Sequence, residues 1–342
     1  MNITKDTTFG ELENIEGFAD CLRYFNFEET ATPENLKDIS LSKIENGLPG
    51  VKDGVLMGLR NPAFDGDYAL KGLQTLQKTL QGQDKVIYNV YDSHEIQKNP
   101  ELEDVKLFYF PGDAKKPFVL ACAGGAYQSV CSLTEGLPLA AKATELGYTT
   151  FVLNYRVHCN NLFPRPMQDL ARALDLIING DIFDGFRKDQ YAVAGFSAGG
   201  HLAAEWGTDN LGYKKYDLPA PAVLMLAYPA TDLNLQLPEH KGWFYPSVFG
   251  NDYTQDDIDT YSVNLHMDKN YPPVYLAACR DDNMVSFENS EVLVRRMKEL
   301  SVPYRTRFEE HGGHGFALGT GTAMEGWFDE AVLFWEKIRK GE

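Results

Sequence analysis

The chain has 342 residues, of which 44% are hydrophobic and 12% aromatic, so it can bury one large core formed by a single α/β domain with an extension. Its formal net charge is -17 at pH 7. With no cluster of lysine and arginine to displace counterions, neither nucleic acid nor an anionic membrane is expected as a partner.

The chain start and the cysteines narrow the class of protein further. The first residues lack the apolar segment of a signal peptide, and no apolar run approaches the ~20 residues that cross a bilayer, so we expect a cytoplasmic protein. The five cysteines are scattered, with no C-x-x-C pair, and the histidines lack ligand spacing. Disulfides, a metal site and a cofactor are therefore not predicted.

The first 80 residues differ in pattern from the rest. Residues 9–25 and 33–44 have helical spacing with Asp, Thr and Pro punctuation, and β-branched runs are absent. We predict a helical N-terminal extension over residues 1–80, which resembles a short helical module attached to several bacterial carbohydrate-active proteins. It is a candidate interaction module or homodimer interface.

Further along the chain, short β-type runs alternate with longer helical ones, the pattern of a mostly parallel sheet covered on both faces. Eight strands are predicted, at residues 86–91, 105–110, 118–123, 149–154, 191–195, 222–228, 274–279 and 304–308. Helices are predicted at residues 134–146, 167–179, 198–207, 286–300 and 323–340. We therefore expect an α/β domain over residues 81–342.

A G-x-S-x-G motif is centred on Ser197, between the fifth predicted strand and a helix. Strand, tight turn and helix together form the context of a nucleophile elbow, which exposes a serine hydroxyl next to a base. Because so short a motif also occurs by chance, the interpretation of Ser197 as a nucleophile depends on the acid and the base.

The acid and the base follow in the order that this kind of site requires. Asp281 and Asp282 lie in a polar turn after the seventh predicted strand, and His311 and His314 lie in a glycine-rich loop after the eighth. These positions predict a Ser-Asp-His triad, with either aspartate able to orient the base.

The loop after the third predicted strand carries Gly124 and Gly125, whose small size lets backbone N–H groups point toward the nucleophile. Together with the N–H of Ala198, which follows the nucleophile, they are the candidate oxyanion-hole donors. The alternative is that the two glycines only form a tight loop.

Seven stretches of the sequence carry a family resemblance: Phe118–Tyr127, Val152–Val157, Pro164–Leu174, Gly195–His201, Tyr228-Pro229, Pro272–Val285 and His311–Phe316. Together they resemble the esterase and lipase branch of the α/β-hydrolase family, which includes bacterial acetyl-xylan-esterase-like and hormone-sensitive-lipase-like enzymes. The resemblance covers roughly residues 86–340 and implies an α/β-hydrolase fold. In that family a valine or isoleucine follows shortly after the acid, and Gly-Phe follows the histidine. The resemblance therefore implies Asp282, which precedes Asn283-Met284-Val285, as the acid and His314 as the base.

The family's oxyanion loop usually reads His-Gly-Gly-Gly or Pro-Gly-Gly-Gly, whereas here Ala123 replaces the first residue and Ala126 the third glycine. The methyl of Ala126 would narrow the acyl site or leave Gly125 as the donor.

Residues 230–271 form a lid-like insertion rich in turns and aromatics. We predict Trp243 and Phe244 of this insertion, with Tyr127 of the oxyanion loop, as substrate-binding residues; the alternative is that the aromatics only pack the insertion onto the domain. His201 is expected to be a hydrogen-bonded packing residue rather than a second base.

The predicted function is a serine carboxylic-ester hydrolase that acts on short-chain acyl esters through an acyl-enzyme. The resemblance points to a small ester substrate such as an acetylated oligosaccharide. One alternative is a prolyl-peptidase-like serine hydrolase, for which the N-terminal segment is too short. The other is a noncatalytic ligand-binding or scaffolding relative, which an intact triad disfavours.

Overall fold

The computed structural model describes residues 2–24, 37–38, 40–41, 66–158 and 161–342. An eight-stranded sheet has the order β1-β2-β4-β3-β5-β6-β7-β8. The strands are β1 (Ile87–Asn89), β2 (Lys106–Phe110), β3 (Pro117–Cys122), β4 (Thr149–Asn154), β5 (Arg187–Phe196), β6 (Val223–Ala227), β7 (Val274–Cys279) and β8 (Tyr304–Glu309). Strand β2 is antiparallel to β1 and β4, and the neighbours from β4 to β8 are parallel. The predicted mostly parallel sheet is confirmed.

Helices cover both faces of this sheet and extend to the N-terminal segment. They are α1 (Phe9–Leu12), α2 (Phe18–Leu22), α3 (Gly66–Gly82), α4 (Ser93–Lys98), α5 (Leu137–Glu145), α6 (Arg165–Ile178), α7 (Ser197–Glu205), α8 (Pro238–Phe249), α9 (Gln255–Thr260), α10 (Glu288–Leu300) and α11 (Trp327–Lys340). The helix predicted at residues 134–146 is divided, because Ser132–Gly136 forms a π-helical turn ahead of α5.

The core lies on both sides of the sheet because successive side chains of a strand point to opposite faces. In β3, Val119 and Ala121 face one core, which the N-terminal helices, α3, α5 and α11 complete. Phe118 and Leu120 face the other core, which includes side chains of α6, α7 and α10. Strands buried on both faces are nearly continuous apolar runs, which is why the sequence pattern located them.

The N-terminal segment packs onto the first of these cores. Phe9 of α1 and Phe18 of α2 are buried in it, and the side-chain amide of Gln74 on α3 donates to the carbonyl of Ile3 at 2.9 Å. The predicted boundary at residue 80 falls inside α3, so the division into two domains stays a prediction. Most of the predicted helical segment at residues 33–44 lies outside the described residues.

The segment predicted as an insertion, residues 230–271, contains two α-helices. Helices α8 and α9 lie between the short turns Leu233–Leu235 and Val263–Leu265. Across the described parts of the chain, no helix has both the length and the apolar character to span a bilayer.

Candidate active site

Ser197 lies at the junction of β5 and α7 with a φ of +50°, a left-handed conformation that is costly for a residue with a side chain. The two glycines of the motif allow this turn. A Cβ on Gly195 would lie 2.3 Å from the carbonyl oxygen of Gly199, and a Cβ on Gly199 would lie 2.2 Å from the carbonyl oxygen of Cys122. Close backbone approach on both sides therefore requires glycine at these positions.

Ser197, His314 and Asp282 form a continuous hydrogen-bonded chain. His314 Nε2 lies 2.9 Å from Ser197 Oγ, and His314 Nδ1 lies 2.8 Å from Asp282 Oδ2. The side chains of His314 and Asp282 are only 7% and 3% exposed, respectively. This is the geometry of a nucleophile, a general base and the carboxylate that orients the base.

The neighbouring aspartates accept hydrogen bonds from different groups. Asp282 Oδ1 accepts the backbone N–H groups of Met284 and Val285, both at 2.9 Å, which leaves Oδ2 for His314. Asp281 instead accepts the N–H groups of Gly312 and Gly313, with distances of 3.1 and 2.8 Å to its Oδ1, and so fastens the histidine loop.

The two histidines and the two aspartates of the predicted triad lie in different positions relative to Ser197. His314, rather than His311, is brought to Ser197, and His311 is an exposed side chain 3.4 Å from Asp281. Of the two aspartates, Asp282 contacts His314.

One predicted oxyanion donor needs correction. The N–H of Gly124 donates to Glu135 Oε2 at 2.5 Å, so it is already engaged and does not serve an oxyanion. The N–H of Ala198 lies in the first turn of α7, where helix geometry leaves amides without an intrahelical acceptor. On the loop, the N–H groups of Gly125 and Ala126 donate to no group in the described part of the chain, so these two are the remaining candidates.

Glu135 and Tyr228 are parts of the site that the residue pattern did not reveal. Tyr228 Oη donates to Glu135 Oε1 at 2.9 Å and accepts the N–H of Ala317 at 3.2 Å. The Tyr228 ring packs edge-to-face against His314, with centroids 4.7 Å apart. Burial raises the pKa of Glu135. The available signal was a lone carboxylate two residues from each of Leu133 and Leu137, but residue 135 lies within a predicted helix, where a glutamate is ordinary.

A small cavity of about 50 Å³ opens beside Ser197 and His314. All three predicted substrate-binding residues line it: Tyr127 from the oxyanion loop, and Trp243 and Phe244 from α8. Tyr127 and Phe244 are buried, whereas Trp243 is 42% exposed. The insertion therefore forms one wall of the cavity.

The buried ion pair of Arg156 and Asp169 lies apart from the cavity lining. The guanidinium contacts Asp169 Oδ1 at 2.7 Å, and the carboxylate also accepts the backbone N–H of Arg156 at 2.8 Å and the hydroxyl of Tyr91 at 2.7 Å. This network joins the segment after β4 to helix α6 and to the segment after β1, as expected for residues that hold loops together.

The fold of the chain and its similarity to known proteins place it among the α/β-hydrolases of the esterase class. The family model described as BD-FAE matches residues 108–297, more than half of the chain. The chain belongs to this BD-FAE family, and the resemblance to the esterase branch is confirmed.

Two curated relatives are similar over most of the chain. It is 24% identical over 224 residues to an endo-1,4-beta-xylanase B of Butyrivibrio fibrisolvens, covering 63% of this chain and 35% of that protein. It is 23% identical over 261 residues to an acetylxylan esterase of Xylanibacter ruminicola, covering 73% of this chain and 50% of that protein. The chain thus spans half or less of the length of these two relatives.

Solved structures share the fold over most of their own length. The acetyl ester-xyloside bifunctional hydrolase from Caldicellulosiruptor lactoaceticus is 27% identical with a TM-score of 0.63, covering 74% of this chain and 96% of that one. The carboxylesterase Cest-2923 from Lactobacillus plantarum, 20% identical with a TM-score of 0.59, covers 68% of this chain and 92% of that one and supports the fold alone.

Proposed function

We propose that this chain is a serine carboxylic-ester hydrolase in which Ser197 is the nucleophile, His314 the general base and Asp282 the residue that orients the base. The hydrogen-bonded chain from Asp282 through His314 to Ser197, with links of 2.8 and 2.9 Å, is the observation that carries the proposal. Membership of an esterase family supports it independently.

The mechanism follows from the donors and acceptors of this chain. Nδ1–H of His314 donates to Asp282, so Nε2 has a lone pair that takes the proton of Ser197 Oγ as the oxygen attacks the ester carbonyl. The tetrahedral oxyanion accepts N–H bonds from Ala198 and from Gly125 or Ala126. His314 then protonates the leaving alcohol, and water repeats the sequence on the acyl-enzyme to release the acid.

The size of the cavity favours a short acyl group. One water requires roughly 10–15 Å³ of cavity volume. A cavity of about 50 Å³ therefore holds a few waters or a short acyl chain. The methyl group of Ala126 contributes to its wall. We therefore propose acetyl esters as preferred substrates over those with longer acyl chains.

For the alcohol part of the substrate we propose an acetylated carbohydrate. Trp243 presents a partly exposed indole on α8, and an aromatic ring of this kind can pack against the apolar face of a sugar. The names of two relatives, an acetylxylan esterase and an acetyl ester-xyloside bifunctional hydrolase, refer to xylan or xyloside chemistry and support the same substrate class.

Hydrolysis of p-nitrophenyl esters from acetate to octanoate, by the wild type beside Ser197→Ala, tests the esterase. We expect activity highest on acetate and lost in Ser197→Ala. Equal, negligible rates in both proteins would overturn it and favour a noncatalytic relative.

Acetylated xylo-oligosaccharides test the substrate class. We expect Trp243→Ala to raise KM for the oligosaccharide more than KM for p-nitrophenyl acetate, because the sugar can pack along the exposed part of the indole. Equal rates of acetate release from the oligosaccharide by the wild type and by Trp243→Ala would contradict the role of Trp243.

A further inference from the structure

Glu135 is a buried carboxylate at the side of the candidate site, in the π-helical turn Ser132–Gly136. The residue is only 7% exposed, and its hydrogen-bond partners among the described residues, a backbone N–H and a tyrosine hydroxyl, are neutral. Burying such a group without a cation costs several kcal/mol unless hydrogen bonds satisfy it. Both of its oxygens are satisfied, and both partners belong to segments that shape the site.

The first partner is Gly124, at the start of the oxyanion loop. Its N–H donates to Glu135 Oε2 at 2.5 Å, and its carbonyl accepts the N–H of Cys131 at 2.9 Å. The loop passes so close to the nucleophile that a Cβ on Gly124 would lie 2.9 Å from Ser197 Cβ. Because Gly124 is held on both sides, the positions of the next two amides are set relative to Ser197.

The second partner is Tyr228, which carries the influence of Glu135 to the histidine loop. Its hydroxyl donates to Glu135 Oε1 and accepts from the N–H of Ala317, three residues after His314. Its ring packs against the His314 ring with centroids 4.7 Å apart. A shift of Tyr228 would therefore move the base relative to Ser197.

The balance of donors favours the ionised carboxylate. Gly124 offers an N–H and Tyr228 an O–H, and a protonated Glu135 would leave one of these donors without an acceptor. Burial raises the pKa of Glu135, while these two hydrogen bonds and the charge of His314 lower it.

We propose that Glu135 is a positioning residue, which holds the oxyanion loop through Gly124 and the catalytic histidine through Tyr228. The inference rests on the proposed ester hydrolysis at Ser197 and deepens it. Glu135 itself is not among the described residues that line the cavity. Its effect is expected in the transition state rather than in substrate binding, because both of its partners set groups that act on the developing charges.

Glu135→Gln is the direct test, since the amide keeps one acceptor and presents its NH₂ to the other donor. With p-nitrophenyl acetate we expect kcat to fall about 10- to 100-fold, below the loss of a whole oxyanion donor, with KM within about twofold. The affinity for a phenylboronic acid, which forms a tetrahedral adduct on a nucleophilic serine, should fall by a similar factor.

Glu330→Gln is the matched control. Glu330 also accepts a tyrosine hydroxyl, from Tyr275 at 2.6 Å, but outside the cavity lining, and we expect wild-type kcat and boronate affinity. A folded Glu135→Gln variant with wild-type kcat and boronate affinity would overturn the inference. So would a variant that loses only melting temperature, since that outcome assigns Glu135 a structural role.

Tyr228→Phe keeps the proposal falsifiable if Glu135→Gln does not fold. It removes the hydroxyl but keeps the ring against His314, and we expect kcat to fall about fivefold or more with KM unchanged. Wild-type kcat in this variant would overturn the inference. Failure of the proposed function is distinguishable, because the wild type would then show no Ser197-dependent hydrolysis at all.

Discussion

The hydroxyl of Tyr127 lies 2.7 Å from Nδ1 of His201, which joins the oxyanion loop to the helix that begins at Ser197. The other ring nitrogen, Nε2, lies 2.8 Å from the carbonyl of Tyr261. Since a carbonyl only accepts, Nε2 carries the hydrogen and Nδ1 accepts from Tyr127. Burial lowers the pKa of His201 to about 4, so it is neutral at pH 7. His201 is thus a hydrogen-bonded packing residue, as predicted.

This burial makes stability depend on pH. Between the ordinary pKa of 6.5 and the folded value of about 4, the unfolded chain binds a proton at His201 that the folded chain does not. The stabilisation that comes from keeping His201 neutral is therefore complete above pH 6.5. The free energy of unfolding decreases by about 3 kcal/mol as the pH falls from 6.5 toward 4. Glu205, 3.7 Å from Nε2, supplies no counter-charge because burial raises its pKa and favours the neutral acid.

Urea unfolding of the wild type and His201→Gln at several pH values checks this prediction. We expect the stability difference between them to narrow by up to about 3 kcal/mol from pH 7 to pH 4, since glutamine does not titrate. A difference that stays constant across this range would show that His201 titrates normally in the folded protein.

Asp282→Asn should abolish most activity while preserving the fold. The asparagine oxygen can still accept from Met284 and Val285, which turns its NH₂ toward His314 Nδ1 and imposes the wrong tautomer. We expect kcat to fall on the order of 10⁴-fold.

Asp281→Asn is its control. Its oxygen can keep both glycine amides, so activity should stay within a few-fold of the wild type. Steady-state kinetics of the two variants decide the matter, and equal losses would contradict separate roles.

Ala126→Gly tests whether the alanine of the oxyanion loop limits acyl size. Ala126 has a φ of +54°, which glycine adopts without strain, and its methyl lines the cavity. We expect the ratio of kcat/KM for p-nitrophenyl butyrate over acetate to rise by up to about tenfold. An unchanged ratio would mean that other residues set the acyl limit.

Asp169→Asn should destabilise the fold strongly. The change leaves the buried guanidinium of Arg156 without its counter-charge, at a cost of about 3–5 kcal/mol in the free energy of unfolding. Glu291→Gln, at an exposed pair 3.5 Å from Arg280, should leave the unfolding midpoint nearly unchanged. Equal midpoint shifts in a denaturant titration would refute the distinction.

The central strands β3, β4, β6 and β7 were predictable because burial on both faces makes them continuous apolar runs. The bounds of β4 and β7 coincide with the prediction, whereas β5 begins at Arg187, four residues before the predicted start at 191. The extra residues of β5 are polar and mostly exposed, so no hydrophobic pattern marks them. A hydrophobic pattern indicates which residues are buried. It therefore does not detect the ends of strands that extend beyond the core.

The candidate site was predictable where chain order and local context suffice, as for Ser197 and His314. The engagement of Gly124 was not, because its acceptor, Glu135, lies eleven residues away in a segment that reads as ordinary helix. Local pattern identifies a loop rich in small residues, but which amide is free depends on the packed neighbours. The role of Tyr228 was not predictable either, because Tyr228 follows β6 and its contact, His314, follows β8, far away in the sequence.

Mass spectrometry after reaction with a p-nitrophenyl phosphonate tests the nucleophile most directly, because the reagent phosphonylates an activated serine and stays attached. We expect one adduct per chain, mapped to the peptide that contains Ser197, formed in step with loss of esterase activity and absent from Ser197→Ala. A missing adduct in an active wild type, or an inactivating adduct on another residue, would contradict the assignment of Ser197.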